Sequence, residues 1–227
     1  MERHFEHELV QLKQKLIAMG TIVDHQLGGA CRALFQANPQ LAQTVIAGDK
    51  QVDELDNQID KDCQRIFALI QPVAIDLRLL MSALKMNTQL ERMGDIAVNI
   101  AERTEPLMAY NEFLTSTRLS EMAQIARIMT KDALDAFVQG NAGIATRVLE
   151  SDDVVDRLDR QIFAQMVSEM EQDHSLIAPA SHILILSRHI ERLADHATNI
   201  AEDVIFLLEA RLVKHHAEEV EQQQRQA

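Results

Sequence analysis

Glu91, Asp95, Asn99 and Glu102 return as Glu191, Asp195, Asn199 and Glu202, in two segments displaced by 100 residues. A helix turns about 100° per residue, so each set forms a stripe about 80° wide. Two further acidic pairs, Asp49/Asp53 and Asp152/Asp156, share the same i,i+4 spacing. Carboxylates so arranged can bind cations. Were the pairs to face one another, four carboxylates would meet at one level, and mutual repulsion would force some to take up protons unless a multivalent cation intervened. An all-oxygen donor set suits hard divalent or trivalent metal ions such as Mg²⁺, Mn²⁺, Ca²⁺ or Fe³⁺ better than Zn²⁺. The candidate metal ligands are therefore Asp49, Asp53, Glu91, Asp95, Asp152, Asp156, Glu191 and Asp195. Asp56, Asp159, Asn99 and Asn199 are candidate outer groups.

Counting places the pairs together. In an antiparallel hairpin, residues at one height share a midpoint. Asp53 with Glu91, and Asp49 with Asp95, both centre on Pro72; Asp156 with Glu191, and Asp152 with Asp195, both centre between Asp173 and His174. Both centres fall in predicted turns. The stripe is apolar on its N-terminal side, through Leu77, Leu80 and Leu84 in one copy and Ile177, Ala180 and Leu184 in the other. The acids thus continue a helix–helix contact, across which axes lie about 8–10 Å apart.

The duplication extends further. Val52–Asp56 matches Val155–Asp159, Ala33–Gln36 sits over Ala136–Gln139, and Met19 over Met122, all at an offset of 103. Each half reads as three helices, over about Phe5–Gln36, Leu41–Ile70 and Val73–Met108, then Ser116–Val138, Ala142–Met170 and Leu176–Val213. Breaks fall at Asn38-Pro39, Gln71-Pro72, Glu105-Pro106, Gly140-Asn141 and Asp173–Ser175, where proline, glycine and Asx residues interrupt the period. Gly48 weakens helix propensity without stopping the period, and Gly28-Gly29 marks either a kink or a close helix approach. The fold class is all-α: two tandem antiparallel three-helix bundles, a first over residues 1–110 and a second over 111–213, followed by a flexible tail over 214–227 whose apolar period is lost.

Composition agrees. Of 227 residues, 47% are hydrophobic and only 4% aromatic, with no Trp and few Gly or Pro, a mix for long helices rather than sheets. A net charge of −13 argues against nucleic-acid binding, since nothing offsets phosphate repulsion. No apolar run is long enough to insert in a membrane, and the charged N-terminus is no signal peptide. Cys31 and Cys63 read as buried, reduced residues of a cytoplasmic protein.

Three functions compete on these residues. In a regulatory adaptor, cations would organise long helical surfaces that contact partner proteins. A carboxylate-bridged di-metal enzyme needs Glu-x-x-His on two helices, and here Glu171/His174 alone fits, in a predicted turn. In a metal-free structural or dimerisation module, the acids would only solvate the surface, paired with Arg92, Arg103, Arg157, Arg160 and Arg192. The histidines show no repeated ligand spacing, and a lone His196 beside Asp195 is more often packed than ligating.

LKMNTQLERMGDIAVNIAER (84–103) and SRHIERLADHATNIAEDV (187–204) resemble the paired signature segments of the PhoU family. LKQKLIAMG (12–20), VIAGDKQVDELD (45–56) and QPVAIDLR (71–78) match its other typical stretches, so the resemblance runs from about Leu9 to Ala210. It implies two three-helix bundles, homodimers or higher oligomers, and metal clusters at E/D-x-x-x-D motifs, which here fall on the eight acids named above. It also implies a non-enzymatic negative regulator of the phosphate-starvation response. Its partners would be the nucleotide-binding subunit of the phosphate ABC transporter and a sensor histidine kinase.

Overall fold

The computed structural model describes residues 2–70 and 74–213. The predicted turn at Pro72 and the predicted flexible tail lie outside them. Among the described residues all regular structure is helical: α1 (Glu2–Phe35), α2 (Pro39–Gly48), α3 (Lys50–Ile70), α4 (Ala74–Glu102), α5 (Thr104–Leu107), α6 (Asn111–Ser116), α7 (Leu119–Gln139), α8 (Ala142–Gln172) and α9 (Ile177–Glu209). Single turns of 3-10 helix cover Met108–Tyr110 and His174–Leu176.

Local chemistry sets most boundaries. Asn38 accepts a hydrogen bond from the Leu41 amide at 3.0 Å, and Pro39 occupies the first turn, where its missing N–H loses nothing. Gly140 ends α7 in the left-handed region at φ 62°, and Asn141 then caps α8 by accepting from Gly143 and Ile144. Asp173 closes α8 and accepts from the Ser175 amide at 2.8 Å.

Two expected helices are cut shorter. The second helix of the first half is interrupted at Gly48-Asp49, where the sequence period predicts continuity. Asp49 keeps right-handed dihedrals, but its amide bonds back only three residues, to Ile46, so the ladder is jogged rather than stopped. The third helix ends at Glu102 instead of Met108, and Pro106 lies inside the short α5. Gly28-Gly29 proves to be a close approach, within an unbroken α1. A Cβ on Gly29 would lie 2.8 Å from Val45 Cγ2, and one on Gly28 would lie 2.9 Å from Arg127 Nη2.

α1, α2–α3 and α4 form the first bundle, and α7, α8 and α9 the second. Cross-helix pairs run antiparallel: Lys15–Asp62 between α1 and α3, Asn87–Asp56 between α4 and α3, Ser187–Asp159 between α9 and α8. The bundles join along α4 and α9. There Lys85 pairs with Asp203 at 2.9 Å, Gln89 with His196 at 2.7 Å, and Arg103 meets His182 at 3.4 Å, again antiparallel. α1 also packs on α7, so one apolar core runs through both halves. Met86, Leu90, Met93, Ile100, Ile190, Leu193, Ala197 and Ile200 are buried in it, which holds α4 and α9 in fixed rotation and turns their acids toward α3 and α8. Each large apolar side chain so buried contributes about 1.5–3 kcal/mol.

Candidate metal centre: two carboxylate clusters

The apolar face of α4 fixes where its acids point. Met93, Ile96, Ala97 and Ile100 are buried, while Glu91 is half-buried and Asp95 exposed on the opposite side. Across the groove, Asp49 stands in the jog between α2 and α3, half-buried, and Asp53 follows one turn on, exposed. The two pairs meet at one level. Burial, then Asp53 and Asp95, push the Asp49 carboxyl above its ordinary value. Glu91 is raised by burial, then by Asp95, Asp56 and Asp53, against a lowering influence of Arg92. The midpoint count is thereby realised, with Asp56 as a fifth member. Asp56 is itself raised by burial, Asp60 and Asp53, and is held by Asn87 Nδ2 at 2.7 Å.

In the second half, on α8 and α9, Asp156 and Glu191 meet as Asp53 and Glu91 do, with Asp159 in the place of Asp56. Burial, Asp195, Asp159 and Asp156 raise Glu191, while Arg188 lowers it. Asp152 is buried at 2% exposure, deeper than its counterpart Asp49. Asp159 is held by Ser187 Oγ at 2.7 Å, as Asp56 is by Asn87, so the duplication preserves even the supporting hydrogen bond.

Arg188 is a member that sequence reasoning missed. It reaches Glu191 at 3.1 Å and Asp159 at 3.4 Å. Thr88 stands in its place in the first half, bonded to the Leu84 carbonyl. Comparing the repeats residue by residue at an offset of 100 exposes the difference. Arg160 also approaches Asp156, at 3.8 Å. His196 lies beside Asp195 in sequence but turns into the α4–α9 seam, where Nδ1 donates to Gln89 Oε1. Burial, Arg92 and Arg192 hold it down to about 4. Asn199 turns the same way, toward Gln89.

Among the described residues, no three His, Cys, Asp or Glu side chains converge into a ready-made coordination cage. The donor chemistry nonetheless fits a hard cation. Each cluster is oxygen-only, and in each a partly buried Glu, with Asp49 in the first, is raised by burial and then by neighbouring carboxylates, the imbalance that a multivalent ion relieves.

Fold and site together define a class: a tandem-duplicated helical protein carrying one acidic groove per repeat. The chain belongs to the PhoU family. The family model described as "PhoU domain" matches twice, at residues 16–104 and 119–204. A phosphate-specific transport system accessory protein PhoU homolog from Aquifex aeolicus is 38% identical over 208 residues, covering 92% of this chain and 94% of that protein. The homolog from Pseudomonas putida is 36% identical over 216 residues, covering 95% and 84%. Among solved structures, PhoU from Pseudomonas aeruginosa superimposes with a TM-score of 0.86 at 35% identity, covering 91% of this chain and all of that one. The phosphate transport system regulatory protein PhoU from Streptococcus pneumoniae gives 0.84 at 28% identity, covering 92% and 99%. No described helix is long and apolar enough to cross a membrane.

Proposed function

We propose that this chain is a cytoplasmic regulatory adaptor of phosphate transport, without catalytic activity, whose two carboxylate clusters bind divalent or trivalent cations. The relatives named above are accessory or regulatory proteins of phosphate transport systems. By that analogy, the partners here are the nucleotide-binding subunit of the phosphate ABC transporter and the sensor histidine kinase of the phosphate response. The output is repression of the starvation response when phosphate is plentiful, and the working form is a homodimer. The observation that carries the cation reading is the recurrence of one facing across the groove in both repeats, Glu91 with Asp53 and Asp56, Glu191 with Asp156 and Asp159, with the supporting bond to Asp56 and Asp159 kept. Acids serving only solubility need no such register.

Chemically, a bound cation would supply charge neutralisation and a rigid link between α3 and α4, or between α8 and α9. Asp49, Asp53, Glu91 and Asp95 would hold it in one half, and Asp152, Asp156, Glu191 and Asp195 in the other. The surrounding residues do the rest: Asn87 and Ser187 orient the flanking Asp56 and Asp159. In a strain lacking its own family member, the chain should restore repression of a phosphate-starvation reporter. It should also co-purify with the transporter's nucleotide-binding subunit, and protein prepared without chelator should carry metal by mass spectrometry. Absence of metal after loading with Mn²⁺ or Fe³⁺ refutes the cation reading. Failure to repress or co-purify refutes the adaptor reading.

A further inference from the structure

The first cluster has a floor that the second lacks. Gln26 on α1 is only 7% exposed, and neither its Oε1 nor its Nε2 has a hydrogen-bond partner among the described residues. It lies beneath two glycines. A Cβ on Gly94 would stand 3.2 Å from Asp49 Oδ1 and 3.6 Å from Gln26 Oε1, and one on Gly48 would stand 3.5 Å from Gln26 Nε2. The amide oxygen and the Asp49 carboxylate therefore border the same gap under Gly94. Both are acceptors, and a buried polar group left unpaired costs about 1–3 kcal/mol. A cation satisfies two such oxygens at once. A neutral amide oxygen adds a ligand without adding to the repulsion among the acids.

The second repeat replaces every part of this floor. Met129 stands where Gln26 does, Ser151 where Gly48 does, and Ala194 where Gly94 does. Met129 is 2% exposed and offers no hard oxygen. Arg188 already neutralises Glu191 and Asp159 there.

We propose that Gln26 Oε1 is a neutral oxygen ligand for the cation held by Asp49 and its partners, making the two clusters unequal sites of which the first is the tighter. This rests on the cation reading above. Mn²⁺ calorimetry on the full chain tests it, with Glu191→Ala/Asp195→Ala silencing the second cluster. In that background Gln26→Met, which copies the second repeat, should weaken Mn²⁺ about tenfold or more, the scale of losing a supporting group at a metal site. Gln26→Glu should bind at least as tightly as the parent. In the reverse background, Glu91→Ala/Asp95→Ala, Gln26→Met should change nothing, and the remaining site should be the weaker one. Unchanged Mn²⁺ binding by Gln26→Met in the first background overturns the proposal while the cation reading survives. No Mn²⁺ binding by either parent overturns both. Should Gln26→Met lose helical signal by circular dichroism, Gln26→Glu decides: binding weaker than the parent's overturns the proposal.

Discussion

Removing two acids from the first cluster should make the metal-free protein more stable and the metal-loaded protein less so. Replacing Glu91 and Asp95 together by Ala deletes half of a facing carboxylate set, in which burial and then neighbouring carboxylates (Asp53 and Asp95 for Asp49; Asp95, Asp56 and Asp53 for Glu91) raise the Asp49 and Glu91 carboxyls. At half-exposed sites such like-charge contacts are screened, each pair contributing a few tenths of a kcal/mol. Two Ala residues in mid-helix add about 1 kcal/mol of propensity at most. Together the metal-free gain is about 1–2 kcal/mol, or about 2–8 °C in Tm for a chain of this size. The pH dependence has a definite sign. A carboxyl raised on folding stabilises fully below its unfolded value, 3.8 for Asp and 4.5 for Glu, and that contribution is lost as pH rises through the folded value. The variant's advantage should therefore grow from pH 4 to pH 7. With Mn²⁺ at a hundredfold over Kd the order should reverse, because one occupied site stabilises the native protein by about 2.7 kcal/mol. Scanning calorimetry in chelator and in excess Mn²⁺, for both proteins, reads both arms. A variant less stable than wild type in chelator would refute the repulsion argument, and an undiminished Mn²⁺ increment would refute the site.

Three further outcomes follow from particular contacts. Arg188→Ala removes the guanidinium from Glu191 and Asp159, so Mn²⁺ titrated into protein with a silenced first cluster should bind more tightly than to the Arg188 parent. Lys85→Met leaves Asp203 without its inter-bundle partner, at a cost of about 1–2 kcal/mol at pH 7, discounted because Lys85 is half exposed. Burial raises the Asp203 carboxyl above its ordinary 3.8, so it protonates in the native protein before pH falls that far, and the urea midpoints of variant and wild type should converge as pH is lowered from 7 toward 3.8. Burial pushes the Cys63 thiol up to about 12 and the Cys31 thiol up to about 11, so neither should react appreciably with a disulfide reagent at pH 7.5 until the protein unfolds.

Much of the fold was legible in the sequence, because its determinants are local or repeat. Helix periods, the Asn38 and Asn141 caps, Gly140 and Asp173 act within a few residues, and the duplication doubled every signal. The level match of Asp49/Asp53 with Glu91/Asp95 was also legible, since a short turn between antiparallel helices makes height a matter of counting. What escaped depends on neighbours distant in the chain. The jog at Gly48-Asp49 lies where Gly48 passes over Gln26 of α1, and propensity alone reads that glycine as a mild weakness. Arg188 reads as a surface residue until α8 is laid beside α9.

The sequence by itself determined an all-helical chain, its two repeats, and which acids lie on one stripe, because residue type and spacing fix helical phase. Only the tertiary structure decided which side of each stripe meets a neighbour, that α4 and α9 fuse the two bundles along one seam, and that the repeats differ beneath their acids. A buried glutamine and a buried methionine occupy equivalent helix positions with little difference in propensity. Their unlike chemistry takes effect only once packing places one of them against the cluster and removes water from around it.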